Sequence, residues 1–152
     1  MDNFIPDMYL KSIYDIDYKN LKSRGIKCIL FDLDNTIAPV NVPVPDKDIK
    51  DLFSDLTLLG FKVIILSNSS KSRVEPFKEK LNVDSSFYSM KPMKKKYKKI
   101  VNIYGFKDNE IACVGDQLLT DVLGANRMGF LSILVNPIST IDLIGTKINR
   151  VF

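Results

Sequence analysis

The sequence predicts a doubly wound α/β domain, a mainly parallel sheet with helices on both faces. Two observations carry this. Apolar runs at residues 27–33, 61–66, 111–114 and 131–135 lack polar alternation, as do strands buried on both faces. Stretches with helical periodicity alternate with those runs across short connections, the pattern of a parallel sheet whose crossovers are helices.

Residues 1–24 mix apolar and aromatic side chains with charges and show no period, so they are expected to form an arm with one or two short helices packed on the core. Gly25 separates the arm from the first strand, at 27–33. Pro39, Pro43 and Pro45 make 38–45 a stiff loop, because proline lacks the donor that a helix or central strand requires. Asp46 is placed to cap a helix in which Ile49, Leu52, Phe53, Leu56 and Leu59 share a face, with Gly60 ending it. The second strand, 61–66, runs into the polar turn 67–70, followed by a helix over 72–81 with Pro76 in its early turns. A short edge strand is expected at 87–89. A basic helix then spans 93–104, with Tyr97, Ile100, Val101 and Tyr104 as its buried stripe and Gly105 as its stop. A strand at 111–114, a break at Gly115-Asp116, a short helix over 118–128 and a strand at 131–135 complete the core. The expected division is therefore an arm (1–24), a core (25–137) and a tail (138–152) whose Ile141, Leu143, Ile144 and Ile148 return to the body.

Composition narrows the chemistry. With 45% apolar and 26% charged residues in 152, the chain reads as one soluble globular domain. No apolar run nears the ~18 residues of a membrane span, and early acids stand where a signal peptide would be basic, so a cytoplasmic location is expected. The absence of histidine excludes a Ser-His-Asp triad, a Cys-His pair and imidazole-bound zinc. Acid–base work falls to other side chains, and a metal held by carboxylates would be hard, such as Mg²⁺. Cys28 and Cys113 sit in apolar runs and read as buried, reduced thiols. A net charge of +4 points weakly to anionic partners: nucleic acid, anionic lipid or phosphorylated ligands.

The carboxyl ends of parallel strands share one rim, where ligands bind. Asp32 and Asp34 follow the first strand, Ser67 and Asn68 the second, Lys91 the short third, and Asp116 and Asp121 the fourth. Each has a structural reading alone, as turn, cap or solvated side chain. Together they describe narrower chemistry. Clustered carboxylates would repel a phosphoryl group unless a cation such as Mg²⁺ lay among them, while Ser67 and Lys91 could hold the remaining oxygens. One carboxylate can attack phosphorus, and a second can protonate the leaving oxygen and then deprotonate water.

Asp32-Leu33-Asp34-Asn35-Thr36 resembles the first motif of the haloacid dehalogenase superfamily phosphatases. Ser67 after an apolar strand is similar to the second motif, Lys91 before Pro92 to the third, and Gly115-Asp116 with Asp121 to the fourth. The resemblance implies a Rossmann-like fold. It also implies roles: Asp32 as nucleophile and Mg²⁺ ligand, Asp34 as general acid/base with its carbonyl on the metal, and Asp116 as a further ligand. Asp121 would orient the metal's water or Lys91. Leu33, Asn35, Thr36, Ser67, Asn68 and Lys91 would support or bind the phosphate. Residues 12–17, Leu21 and 25–27, with the long run 115–127, extend the resemblance to the YqeG-like branch of subfamily IIIA, related to mitochondrial phosphatidylglycerophosphate phosphatases.

The intervals 36–46 and 67–91 leave no room for a cap domain, so the rim is expected to be open and suited to a bulky substrate. Phosphatidylglycerophosphate is the substrate the resemblance implies. Lys94, Lys95, Lys98 and Lys99 on the solvated face of the basic helix offer a peripheral attraction to an anionic inner-membrane surface. Arg127 either reaches a second phosphate or balances a helix dipole. A phosphatase of a nucleotide, nucleic-acid end or phosphoprotein, and a non-catalytic Mg²⁺ and phospho-ligand module, remain alternatives. Oligomeric state is not legible.

Overall fold

The computed structural model describes residues 2–138, so the expected tail at 138–152 lies, but for Ile138, outside the described residues. Six parallel strands form one sheet in the order β1-β6-β5-β2-β3-β4. They are β1 (Met8–Leu10), β2 (Cys28–Phe31), β3 (Lys62–Leu66), β4 (Asp84–Ser86), β5 (Ile111–Gly115) and β6 (Leu131–Val135). The helices are α1 (Tyr18–Ser23), α2 (Lys47–Leu58), α3 (Lys71–Leu81), α4 (Lys94–Tyr104) and α5 (Leu123–Met128).

Alternate residues of the central strands feed two cores, which is why these strands are apolar throughout. Ile29, Phe31, Val63, Ile65, Ala112 and Val114 meet Ile49 and Phe53 of α2 and Val74 and Phe77 of α3 on one face. Cys28, Leu30, Ile64, Leu66, Ile111 and Cys113 meet Tyr97 and Ile100 of α4 and Ala125 of α5 on the other. Burial pushes the Cys28 thiol up to about 12 and Cys113 well above its ordinary value, so both are inert packing groups.

Two elements differ from the sequence expectation. The arm is part of the sheet, because Met8–Leu10 pairs with β6. Its register is pinned by Asp7, whose N–H donates to Ser132 Oγ at 3.0 Å and whose Oδ2 accepts the Ser132 N–H at 2.9 Å. The edge strand lies at Asp84–Ser86, not 87–89. Pairing with Ile64, Ile65 and Leu66 selects this polar segment, and Tyr88 at φ +44° breaks the extended run.

The order also locates the site. From β2 the chain adds β3 and β4 to one side, whereas β5 and β6 lie on the other. The switch point therefore falls between the carboxyl ends of β2 and β5, which are followed by Asp32 and Asp116.

Candidate active site

Asp32 extends from β2 with its N–H donating to Val114 O at 2.9 Å, fixing it beside β5. The chain then folds tightly, the Leu33 carbonyl accepting from the amides of Thr36, Ile37 and Ala38. Asn35 makes this possible at φ +61°, a conformation asparagine tolerates better than most residues. Leu33 is buried, anchoring the turn. Thr36 Oγ1 lies 3.4 Å from Asp32 Oδ2 and 3.3 Å from Asp116 Oδ1, so its single O–H is shared between carboxylates of two strands.

Lys91 is the buried cation at the centre. Its Nζ donates to Asp32 Oδ1 at 2.9 Å and to Asp121 Oδ1 at 2.7 Å, with side chains 4%, 13% and 5% exposed. Burial opposes the ammonium charge, but Asp121 and then Asp32 outweigh it and hold Lys91 above its ordinary value. Asn68 fixes the lysine from behind by accepting the Lys91 N–H at 2.8 Å and donating to the Lys91 carbonyl at 3.2 Å. Ser67 is buried; its Oγ accepts the Ser69 N–H at 2.9 Å, and its own O–H remains a donor.

Asp32, Asp116 and Asp121 each offer an oxygen within 4.8 Å of the others. One ammonium faces three carboxylates. Burial raises the pKa of Asp32, against the attraction of Lys91; burial and then Asp121 raise that of Asp116; and burial pushes Asp121 up to about 6 despite Lys91. This hard, anionic, under-neutralised oxygen set fits a divalent cation. Asp121 is the most fully engaged of the three, since Oδ2 also accepts the Gln117 N–H at 3.2 Å. Asp32 Oδ2 and Asp116 are left as the freer donors.

The Asp34 carboxylate lies outside this cluster. Arg73 Nε donates to its Oδ1 at 2.9 Å, and Ser69 Oγ bonds its Oδ2. Arg73 also donates to the carbonyls of Pro39 and Val42, tying α3 to the proline loop. Sequence reasoning missed Arg73, because an arginine near a helix start after Ser70 carries no motif signal. Arg127 is exposed and stands apart, lining an opening with Asn3, Met93, Lys94 and Asn126.

Two glycines make the cluster sterically possible. A Cβ on Gly115 would stand 2.2 Å from Asp121 Cγ, and one on Gly124 would stand 2.2 Å from Tyr97 Oη. The run 124–127, opaque in sequence, thus seats Tyr97 at Gly124 and buries Ala125. Asn126 Nδ2 pins the amino-terminal segment at the Asn3 and Ile5 carbonyls, 2.8 and 2.9 Å away.

Residues 1–139 match the family described as mitochondrial PGP phosphatase. The chain is 38% identical over 147 residues to the probable phosphatase YqeG of Bacillus subtilis, covering 97% of this chain and 86% of that one. It is 25% identical over 144 residues to phosphatidylglycerophosphate phosphatase 1, chloroplastic/mitochondrial, of Arabidopsis thaliana, covering 89% of this chain and 41% of the plant protein. Its fold is shared with 3-deoxy-D-manno-octulosonate 8-phosphate phosphatase from Moraxella catarrhalis, solved with magnesium, phosphate and KDO. The TM-score is 0.62 at 16% identity, over 81% of this chain and 76% of that one.

Proposed function

The chain belongs to the mitochondrial PGP phosphatase family, in the YqeG-like branch of the haloacid dehalogenase phosphatases, and from that premise we propose that it hydrolyses phosphatidylglycerophosphate to phosphatidylglycerol and orthophosphate. Mg²⁺ is the proposed ion. The observation that carries the reading is a buried ammonium bridging Asp32 and Asp121 within a three-carboxylate cluster, at a rim with no cap domain among the described residues. The substrate is supported by the family description and by the name of the Arabidopsis relative.

In this reading a carboxylate oxygen of Asp32 attacks phosphorus and the phosphorus–oxygen bond to the glycerol breaks, leaving an aspartyl phosphate. Asp34 gives the leaving oxygen its proton. Water then attacks phosphorus, Asp34 takes the water's proton, and the bond to Asp32 breaks to release phosphate. Asp32, Asp116 and the Asp34 carbonyl would hold the metal, which when bound supplies positive charge against the phosphoryl oxygens. Lys91 and the Ser67 hydroxyl hold the transferring group. The Leu33 amide and Asn35 line it, Thr36 and Asn68 keep the turn and the lysine in place, and Asp121 orients Lys91. Arg127 is assigned to a second anionic group of the substrate.

The lipid is reached from the cytoplasmic side of the membrane. Among the described residues no helix is long and apolar enough to cross a bilayer. A substrate panel tests the reading. Mg²⁺-dependent release of orthophosphate from phosphatidylglycerophosphate in detergent micelles should far exceed release from nucleotides, phosphorylated peptides and 5′-phosphorylated oligonucleotides, and Asp32→Asn should abolish it while the fold survives. Equal or greater turnover of a soluble ester would remove the lipid as substrate, and turnover by Asp32→Asn would remove the aspartyl phosphate.

A further inference from the structure

The chemistry of the site leaves the composition of its lip unexplained. Met90, Met93, Leu118 and Leu119 sit on the connections leaving β4 and β5, the same connections that deliver Lys91 and Asp116. All four side chains are exposed, Met90 at 62% and Leu119 at 68%. Met90 stands at φ +58°, a backbone conformation costly for a side chain of its size and hard to explain by packing, since the side chain packs little. Phe4 and Ile5, also exposed, line an apolar groove together with Asp116 and Leu118. The other side of their segment opens on Met93, Lys94, Asn126 and Arg127. Asn126 holds that shared wall through the Asn3 and Ile5 carbonyls. Aliphatic tips and cations therefore border one edge of the catalytic rim.

We propose that this lip is a bilayer-docking surface. The side chains of Met90, Met93, Leu118, Leu119, Phe4 and Ile5 enter the headgroup layer of an anionic membrane, and Lys94 and Lys95 pair with its phosphates. The inference rests on the phospholipid reading above and names the partner of that site. The chemistry favours a bilayer over other occupants. Five of the six tips are aliphatic and offer nothing to a nucleic-acid base, which stacks on aromatic faces. Lysine is depleted at protein interfaces, whereas insertion of apolar side chains flanked by lysine and arginine characterises interfacial membrane binding. Charge also orients the contact. The start of α4 carries Lys94, Lys95 and Lys96 with no acid in its first turn, so an anionic surface is drawn to it. The contact thus uses the amino-terminal end of α4, not its whole lysine face, and places the reacting centre against the headgroups.

Flotation of the full chain with phosphatidylcholine vesicles, with and without phosphatidylglycerol, tests this without reference to turnover. The wild type should float only with the anionic vesicles. Met93→Asp combined with Leu119→Asp should lower vesicle binding at least about tenfold, since each insertion loses a buried apolar side chain and gains a repelled charge. Aspartate is a favourable residue at the start of α4, so the fold should tolerate the change, and turnover of para-nitrophenyl phosphate by this double variant should stay within about twofold of wild type. Lys94→Glu with Lys95→Glu should weaken binding by about fivefold or more per residue. Unchanged vesicle binding by the Met93/Leu119 variant would overturn the proposal and assign these side chains to a protein partner or to residues 139–152. Equal binding to neutral vesicles would overturn the cationic half. Binding to vesicles without hydrolysis of phosphatidylglycerophosphate in micelles would remove the substrate reading and keep the docking surface; hydrolysis in micelles without vesicle binding would do the reverse.

Discussion

Replacing Gly115 by alanine adds one methyl group at the most crowded point of the site. The new Cβ would lie 2.2 Å from Asp121 Cγ and Oδ2 and 2.5 Å from its Cβ. Ordinary van der Waals contact begins near 3.5 Å, so the Asp121 side chain must retreat by about 1 Å. It has little freedom to do so, being buried and held at both oxygens by Lys91 and the Gln117 N–H. A displacement of that size breaks the 2.7 Å contact with Lys91 and leaves two buried charges poorly paired. Breaking such a pair costs about 3–5 kcal/mol, and misplacing a catalytic group by about 1 Å lowers turnover about a hundredfold. Gly115→Ala should therefore lower both Tm and kcat for phosphate release, with a smaller change in KM. The control is Gly105→Ala, at a helix end with nothing within 4 Å of the added carbon; its φ of +74° predicts lost stability without a specific loss of kcat. A Gly115→Ala protein with wild-type Tm and kcat would refute the claim that Asp121 is fixed by contact with this glycine and that its position governs Lys91.

Two further predictions concern the charges. Arg73→Leu removes the partner of Asp34 and the donors to Pro39 and Val42, so kcat should fall by about tenfold or more while the metal-induced rise in Tm persists. Undiminished kcat would show that Arg73 does not position Asp34. The second concerns pH. Burial raises the folded-state pKa values of Asp32, Asp116 and Asp121, that of Asp121 to about 6, so without metal the folded form holds more protons than the unfolded one as pH rises above the ordinary carboxylate range. This penalty is absent below the ordinary carboxylate pKa and grows as pH rises, the Asp121 part being complete above about 6. Mg²⁺ should therefore raise Tm little at pH 4 and by about 5–10 °C at pH 7, when present at a hundredfold excess over its Kd. A gain independent of pH, or one retained when Asp116 is replaced by asparagine, would count against the carboxylate cluster as the metal site.

Architecture and rim were legible in the residue pattern. Continuous apolar runs fix strands buried on both faces, helical periodicity fixes the covering layers, and parallel strands must deliver their following residues to one end. Asp32, Lys91, Asp116 and Asp121 were legible for that reason. Which of these groups touch is set by packing between distant segments. Met8–Leu10 is too short to announce a strand and exists because β6 offers an edge and Asp7 locks to Ser132. Arg73 reaches Asp34 across the gap between α3 and the first-motif turn, a contact that no local pattern encodes. Gly115 and Gly124 look like breaks in the chain, yet they are the spaces into which Asp121 and Tyr97 fit. Local sequence encodes periodicity and caps, whereas side-chain contacts between distant segments are set by packing, and at this rim packing turns a row of strand-end acids into one buried, cation-centred cluster.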